Sequence, residues 1–330
     1  MIVKRIEDRR PAPAAPVTVK LCGNVIEVRY AAHGPPEIAI EKLSADKYLD
    51  LRTGEVKEFQ HTTSRAEDKA SVAQSLRKLR DLINCNVTDP ATVLWVTLTY
   101  KENMRDTQRL YEDFHAFIKR FRRYLKTHGH PPADYIVACE PQHRGAWHLH
   151  CLYLFPGKAP FIPNADMARI WGHGFTKTKS LKVDNPGLYL TAYLGDMELT
   201  EAVKSGAPRG RLAEVETVDE QGRKQKKAVV KGARLHLYPP GFNLYRASRG
   251  VKRPEVMQMA EWEAQEIIGT AQLTYEKTVR ISDGQGQTVN VINYRQYNKA
   301  KPPIRDGSGT SPIEQQGGTA EMLSTAALDA

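Results

Sequence analysis

The segment Glu140-Pro-Gln-His-Arg-Gly-Ala-Trp-His-Leu-His150 constrains the fold of this chain more than any other stretch. Apolar runs flank it, Tyr135–Glu140 and Trp147–Phe155, so it reads as two strands joined by a short Gly-containing turn. Alternate residues of a strand share a face, which places His148 and His150 together and turns Leu149 away. With the turn over His143, Arg144 and Gly145, Glu140 lies opposite His148 and Ala138 opposite His150. Two imidazoles and a carboxylate then converge and leave other coordination positions open, as a catalytic divalent cation requires. A His-x-His pair alone is usually structural; the facing carboxylate makes this one a candidate metal set. His143 falls at the turn tip and is expected in solvent.

Hydrophobic periodicity extends the reading on both sides. A capping box, Ser64-Arg-Ala-Glu67, is expected to open a helix whose apolar face is Val72, Leu76, Leu79 and Ile83. Val93–Thr99 is rich in apolar and β-branched residues and predicts a strand. Leu110, Phe114, Phe117, Phe121 and Leu125 recur every three or four residues, predicting an amphipathic helix over 107–126. A short helix near 166–171 and a strand near 175–183 follow. Asn185-Pro186 has the form of an N-cap and first helical residue, with Gly195 placed to end that helix.

Composition narrows the class of partner. The 330 residues are 41% hydrophobic and 26% charged, which excludes a wholly disordered chain. Four cysteines form no C-x-x-C pair, pointing to a reduced compartment. No secretory signal is expected at the amino terminus, and no 18-residue apolar run suggests a membrane span. The formal charge is +10, and its distribution is uneven. Residues 76–250 carry 28 basic and 17 acidic groups, while the flanks together sum to −1. That surplus fits a polyanion. Candidate phosphate contacts are Lys119, Arg120, Arg122, Arg123 and Lys126 on the polar face of the 107–126 helix. The stretch Arg234–Tyr238, with Tyr245, Arg246 and Arg249, interleaves cations with aromatic rings in a way that suits single strands.

Tyr189 and Tyr193 stand at i and i+4 of the helix after Pro186 and share one of its faces. Two tyrosines at a core edge are the ordinary outcome of such spacing. A phenol with a pKa of about 10 is a poor nucleophile near neutrality, unless the attacked phosphorus is polarised by a metal.

With these residues in hand, the chain resembles the HUH endonucleases, specifically the rolling-circle replication initiators of plasmids and single-stranded-DNA phages. Val96-Thr97-Leu98-Thr99 looks like the family's first strand motif, and Trp147-His148-Leu149-His150 like its His-hydrophobic-His motif. Tyr189 and Tyr193 look like its tyrosine motif in the two-tyrosine form; the resemblance covers roughly residues 90–200. It implies an α+β fold, a central antiparallel sheet with flanking helices derived from the ferredoxin-like arrangement. It implies Mg²⁺ or Mn²⁺ on Glu140, His148 and His150, and attack by a tyrosine on single-stranded origin DNA to give a 5′-phosphotyrosyl adduct. Host helicase and polymerase would be partners, in the cytoplasm of a bacterial cell. One departure is Ala192, where the family commonly carries a lysine; Lys177, Lys179 and Lys182 are near in sequence. A relaxase or single-strand transposase shares this chemistry. A non-catalytic nucleic-acid-binding module with structural histidines is the reading from another class.

The expected organisation is an N-terminal region of unreadable role (1–63), a nicking domain (64–200) and a charged loop or hairpin insertion (201–234). A C-terminal part (235–299) and a disordered tail (300–330), rich in Pro, Gly, Ser and Thr, complete it. No Walker phosphate loop occurs, so unwinding would be supplied by the host.

Overall fold

A computed structural model of the chain describes residues 2–34, 39–60, 62–179, 186–207, 210–218 and 224–300. The expected tail therefore lies outside the described residues, as do Lys182 and Asn185. The chain divides into two compact units. One takes Met1–Thr62 and the stretch from Glu255 on; the other is Thr63–Pro254.

In chain order the first unit begins with β1 (Ile2–Ile6), β2 (Pro16–Cys22) and β3 (Val25–Ala31). A small ladder follows, β4 (Ile40–Lys42), β5 (Lys47–Asp50) and β6 (Glu55–Glu58). The second unit contains α1 (Lys69–Asn86), β7 (Val93–Thr99), α2 (Thr107–Thr127), β8 (Asp134–Pro141) and β9 (Trp147–Leu154). It continues through α3 (Asn164–Trp171), β10 (Thr176–Lys179), α4 (Pro186–Gly195), β11 (Met197–Glu198) and α5 (Leu199–Ser205). A hairpin, β12 (Leu212–Val218) and β13 (Lys224–Val230), precedes a 3₁₀ turn at Ala233–Leu237 and β14 (Tyr245–Ala247). The chain then returns to the first unit as β15 (Glu255–Ala260), α6 (Glu261–Ile268), β16 (Gln272–Ser282) and β17 (Thr288–Asn298).

The fold is α+β, as the sequence predicts. The second unit is built on an antiparallel sheet in the order β10-β7-β9-β8-β14. Period-two alternation sorts its side chains into two layers. Val96, Leu98, Val137, Cys139, Leu149, Cys151 and Tyr153 pack against the apolar stripe of α2. That stripe is Leu110, Phe114, Phe117, Phe121 and Leu125, as its periodicity predicts. Phe117 is fully buried, so truncating it to Ala would cost about 3–5 kcal/mol. On the other face Val93, Trp95, Ile136, Ala138 and Leu152 meet Leu79 and Ile83 of α1 and Leu190 and Leu194 of α4. All four cysteines are free and buried, and burial pushes the Cys139 thiol up to about 12.

Two local expectations shift. α1 starts at Lys69, not at the Ser64 box: Asp68 is its N-cap and accepts from the Ser71 amide at 3.3 Å. Glu67 instead accepts from the amide and hydroxyl of Thr63, at 2.9 and 2.6 Å, closing a turn before the helix. The 201–234 stretch contains α5 and a hairpin, and β13 pairs with β11 as well as β12.

In the first unit, the six-stranded antiparallel order is β1-β16-β17-β3-β2-β15. Residues from both chain ends thus complete one sheet, whose core is Val17, Val19, Ile26 and Val28 under Ala264 and Ile268 of α6. A buried ion pair ties α6 to β17: Glu261 Oε1 and Oε2 accept from Arg295 Nη1 and Nη2 at 2.5 and 2.6 Å. This bidentate geometry is the strong form of a carboxylate–guanidinium contact.

Candidate metal centre

The β8–β9 hairpin has the register its sequence predicts. Glu140 is opposite His148, Ala138 opposite His150, and Pro141 opposite Trp147. The loop closes by a bond from the Gln142 amide to the Ala146 carbonyl, 2.8 Å long. Gly145 has φ +83, a conformation favouring glycine, and His143 is exposed at the tip.

One ligand atom from each of Glu140, His148 and His150 lies within 4.8 Å of the others, on the α1/α4 face of the sheet. The imidazole rings are 6.4 Å apart and nearly perpendicular. His148 Nε2 is buried and has no hydrogen-bond partner among the described residues. Burial lowers its pKa to about 4, so the ring is neutral near pH 7 and its nitrogen lone pair is available. His150 Nδ1 lies 3.4 Å from Thr97 Oγ1, and its Nε2 meets Glu140. A hydroxyl on one imidazole nitrogen, with the other turned to the cluster, is the arrangement that orients a metal ligand. The donor set therefore fits a divalent cation.

Glu140 also has a fixed cationic neighbour. Arg234 Nη1 stands 2.9 Å from its Oε1. Burial alone would raise the carboxyl, but the Arg234 charge, the His150 hydrogen bond and the imidazoles outweigh it and hold the pKa at about 2. The guanidinium is itself anchored, donating to the carbonyls of Pro141 at 2.9 Å and Asp196 at 3.2 Å. Lys231 Nζ and the Gly232 amide clasp the Asp196 carboxylate at 2.7 and 3.1 Å, which joins the end of α4 to the turn carrying Arg234. Arg234 is thus buried, not the solvent cation its sequence context suggests. Nothing local marks it, because its partner comes from a distant strand.

α4 lies on the same layer as this cluster. Leu190 and Leu194 pack beside Ala138, and the Tyr238 hydroxyl donates to the carbonyls of Cys139 and Leu194 at 2.9 and 3.1 Å. Tyr189 and Tyr193 belong to α4, four residues apart; their side chains lie outside the described residues.

Residues 93–198 match a family of replication-associated proteins, the ORF2 type. The match runs from the start of β7 to the end of β11, so it takes in the whole donor set and α4. No curated protein matches the chain significantly. The family match supports a replication-associated protein. Among the described residues no helix is long and apolar enough to cross a membrane.

The cationic candidates sit elsewhere. Lys119, Arg122, Arg123 and Lys126 are exposed on α2, whose apolar stripe covers the sheet face opposite the donor set. Arg120 reaches the end of α3, donating to the carbonyls of Ile170 and Trp171 at 2.8 and 3.0 Å, where it satisfies otherwise open helix ends. Arg246, opposite Val137, also falls on the α2 side; its guanidinium lies 3.5 Å from the centre of the Tyr111 ring. Arg249 is exposed just beyond β14. The sheet therefore separates the donor set from the α2 cations and Arg246.

Proposed function

We propose that the chain is a replication initiator that nicks and rejoins single-stranded DNA at an origin by tyrosine transesterification. The observation that carries this reading is the Glu140–His148–His150 set, with an unpartnered buried imidazole nitrogen, inside a replication-associated family match. Those three residues would hold Mg²⁺ or Mn²⁺. Bound there, the ion would supply Lewis-acid polarisation of the scissile phosphate.

The chain's own groups prepare the rest. Neutral His148 offers an unprotonated nitrogen, and Arg234 keeps Glu140 ionised. Thr97 sets the His150 ring. A phenol of Tyr189 or Tyr193 would attack phosphorus, forming the P–O(Tyr) ester as the bond to the departing 3′-oxygen breaks. That oxygen leaves as a 3′-hydroxyl after taking up a proton, and the 5′-phosphate stays on the enzyme. Return attack by a 3′-hydroxyl reverses the step and rejoins the strand. Two tyrosines let cleavage and rejoining alternate within one polypeptide. Lys119, Arg122, Arg123, Lys126, Arg246 and Arg249 would hold more distant phosphates, on a path that passes round the sheet edge.

Incubation with a randomised single-stranded DNA pool and Mn²⁺, followed by a denaturing gel, tests the reading. A covalent adduct is expected, absent when Tyr189→Phe and Tyr193→Phe are combined. An adduct that survives the double substitution overturns the tyrosine assignment; no adduct from the wild-type chain overturns the reading.

A further inference from the structure

The edge strand β10 extends the face that carries the donor set. Lys177 is opposite Thr97, and Thr97 is opposite His150. One row along, the Phe175 carbonyl accepts from the Thr99 amide at 2.9 Å, and Thr99 is opposite His148. Two parallel rows cross the sheet on one face: Lys177, Thr97, His150, Ala138, and Phe175, Thr99, His148, Glu140. Thr176, between them in sequence, is buried on the other face, as alternation demands.

Phe175 is 66% exposed. A large aromatic side chain in water forgoes the burial that normally stabilises it. It stands beside a cation at the margin of a site built for a phosphodiester, and it borders no α2 residue. Two strand spacings separate Lys177 from His150, about 10 Å between backbones, within the reach of a long lysine side chain and a phosphate between them.

Resting on the nicking reading, we infer that Phe175 and Lys177 form a nucleotide subsite beside the scissile phosphate. The Phe175 ring stacks one base and the Lys177 ammonium meets that nucleotide's phosphate. This pairing is what single-strand recognition needs: every base has a face to stack, and every linkage has a charge to neutralise. It also places a lysine at the site although Ala192 occupies the position near the tyrosines.

The test uses the full chain and fluorescence anisotropy with labelled oligothymidylate over a salt series, without metal. Phe175→Ala is expected to weaken binding about tenfold with little change in salt slope, and Phe175→Trp to retain it. Lys177→Met keeps the apolar stem but should reduce the slope of log K against log salt by about 0.7, one phosphate contact, with Lys177→Arg restoring it. A merely structural role for Lys177 would not move that slope. Mn²⁺ affinity by calorimetry should be unchanged in all four variants. If affinities and slopes match the wild type, or if Arg122→Met moves the slope while Lys177→Met does not, the subsite is wrong. Should the wild type form a covalent adduct while these variants bind normally, the subsite alone falls. If it binds and the variants weaken it but no adduct forms, the nicking reading falls and the subsite stands. A wild-type chain that fails to bind at low salt overturns both.

Discussion

Arg234 and Glu140 form a buried ion pair, guanidinium nitrogen to carboxylate oxygen at 2.9 Å, at the base of the donor set. The pair explains how a carboxyl buried beside two imidazoles stays ionised. Its formation depends on the turn after β13 reaching across to the end of β8, so the donor set is completed from outside the family-matched stretch.

Replacing Arg234 with Met leaves that carboxylate buried without its cation. The Glu140 pKa should rise from about 2, and folding stability should drop by about 3–5 kcal/mol. Thermal unfolding measures the loss. Arg234→Lys should recover part of it, but not the bonds to both the Pro141 and Asp196 carbonyls that the guanidinium fork makes.

His148 behaves differently because its Nε2 has no partner among the described residues. Without metal, His148→Leu should lie within about 1 kcal/mol of the wild type, since no buried hydrogen bond at Nε2 is broken. Mn²⁺ affinity, by calorimetry, should fall at least tenfold. A large loss of stability in the metal-free protein would show that the ring is there for packing.

Gly187 sits where α4 approaches α1. A Cβ added there would meet Asn84 Oδ1 at 2.6 Å and the Arg80 carbonyl oxygen at 2.8 Å. Gly187→Ala should therefore push the helices apart at a cost of about 1–3 kcal/mol. Adduct yield should fall through displaced tyrosines while Mn²⁺ affinity is retained. Unchanged yield would mean that α4's distance from α1 does not set the reaction.

The Glu261–Arg295 pair gives the first unit an acid-sensitive joint. Burial would raise the Glu261 pKa, but hydrogen bonds from Arg295 and Gln265 lower it below its ordinary 4.5. A carboxylate with a depressed folded-state pKa contributes its stability above the unfolded value, and loses it as pH falls through the folded one. Fluorescence of Trp262 on α6 should report unfolding below about pH 4.5, while Glu261→Gln should remove this pH dependence at the cost of a weakened pair.

Short-range patterns in the sequence determine the elements and the local chemistry. Alternation gives the β8–β9 hairpin, Gly145 sets its turn, and the cross-strand register alone brings Glu140, His148 and His150 to one face. The Phe-rich stripe of α2 identifies which side meets the sheet. Such features depend on neighbours within one turn or one hairpin, where chain geometry leaves few choices. Tertiary structure decides what connects distant segments. It pairs Glu140 with Arg234, separates the α2 cations from the donor set by a whole sheet, and places Lys177 and Phe175 in its rows. It also joins β1–β3 to β15–β17, two stretches whose roles the sequence leaves unreadable. These contacts follow from burial and packing among segments with no local pattern in common, so only the folded chain reveals them.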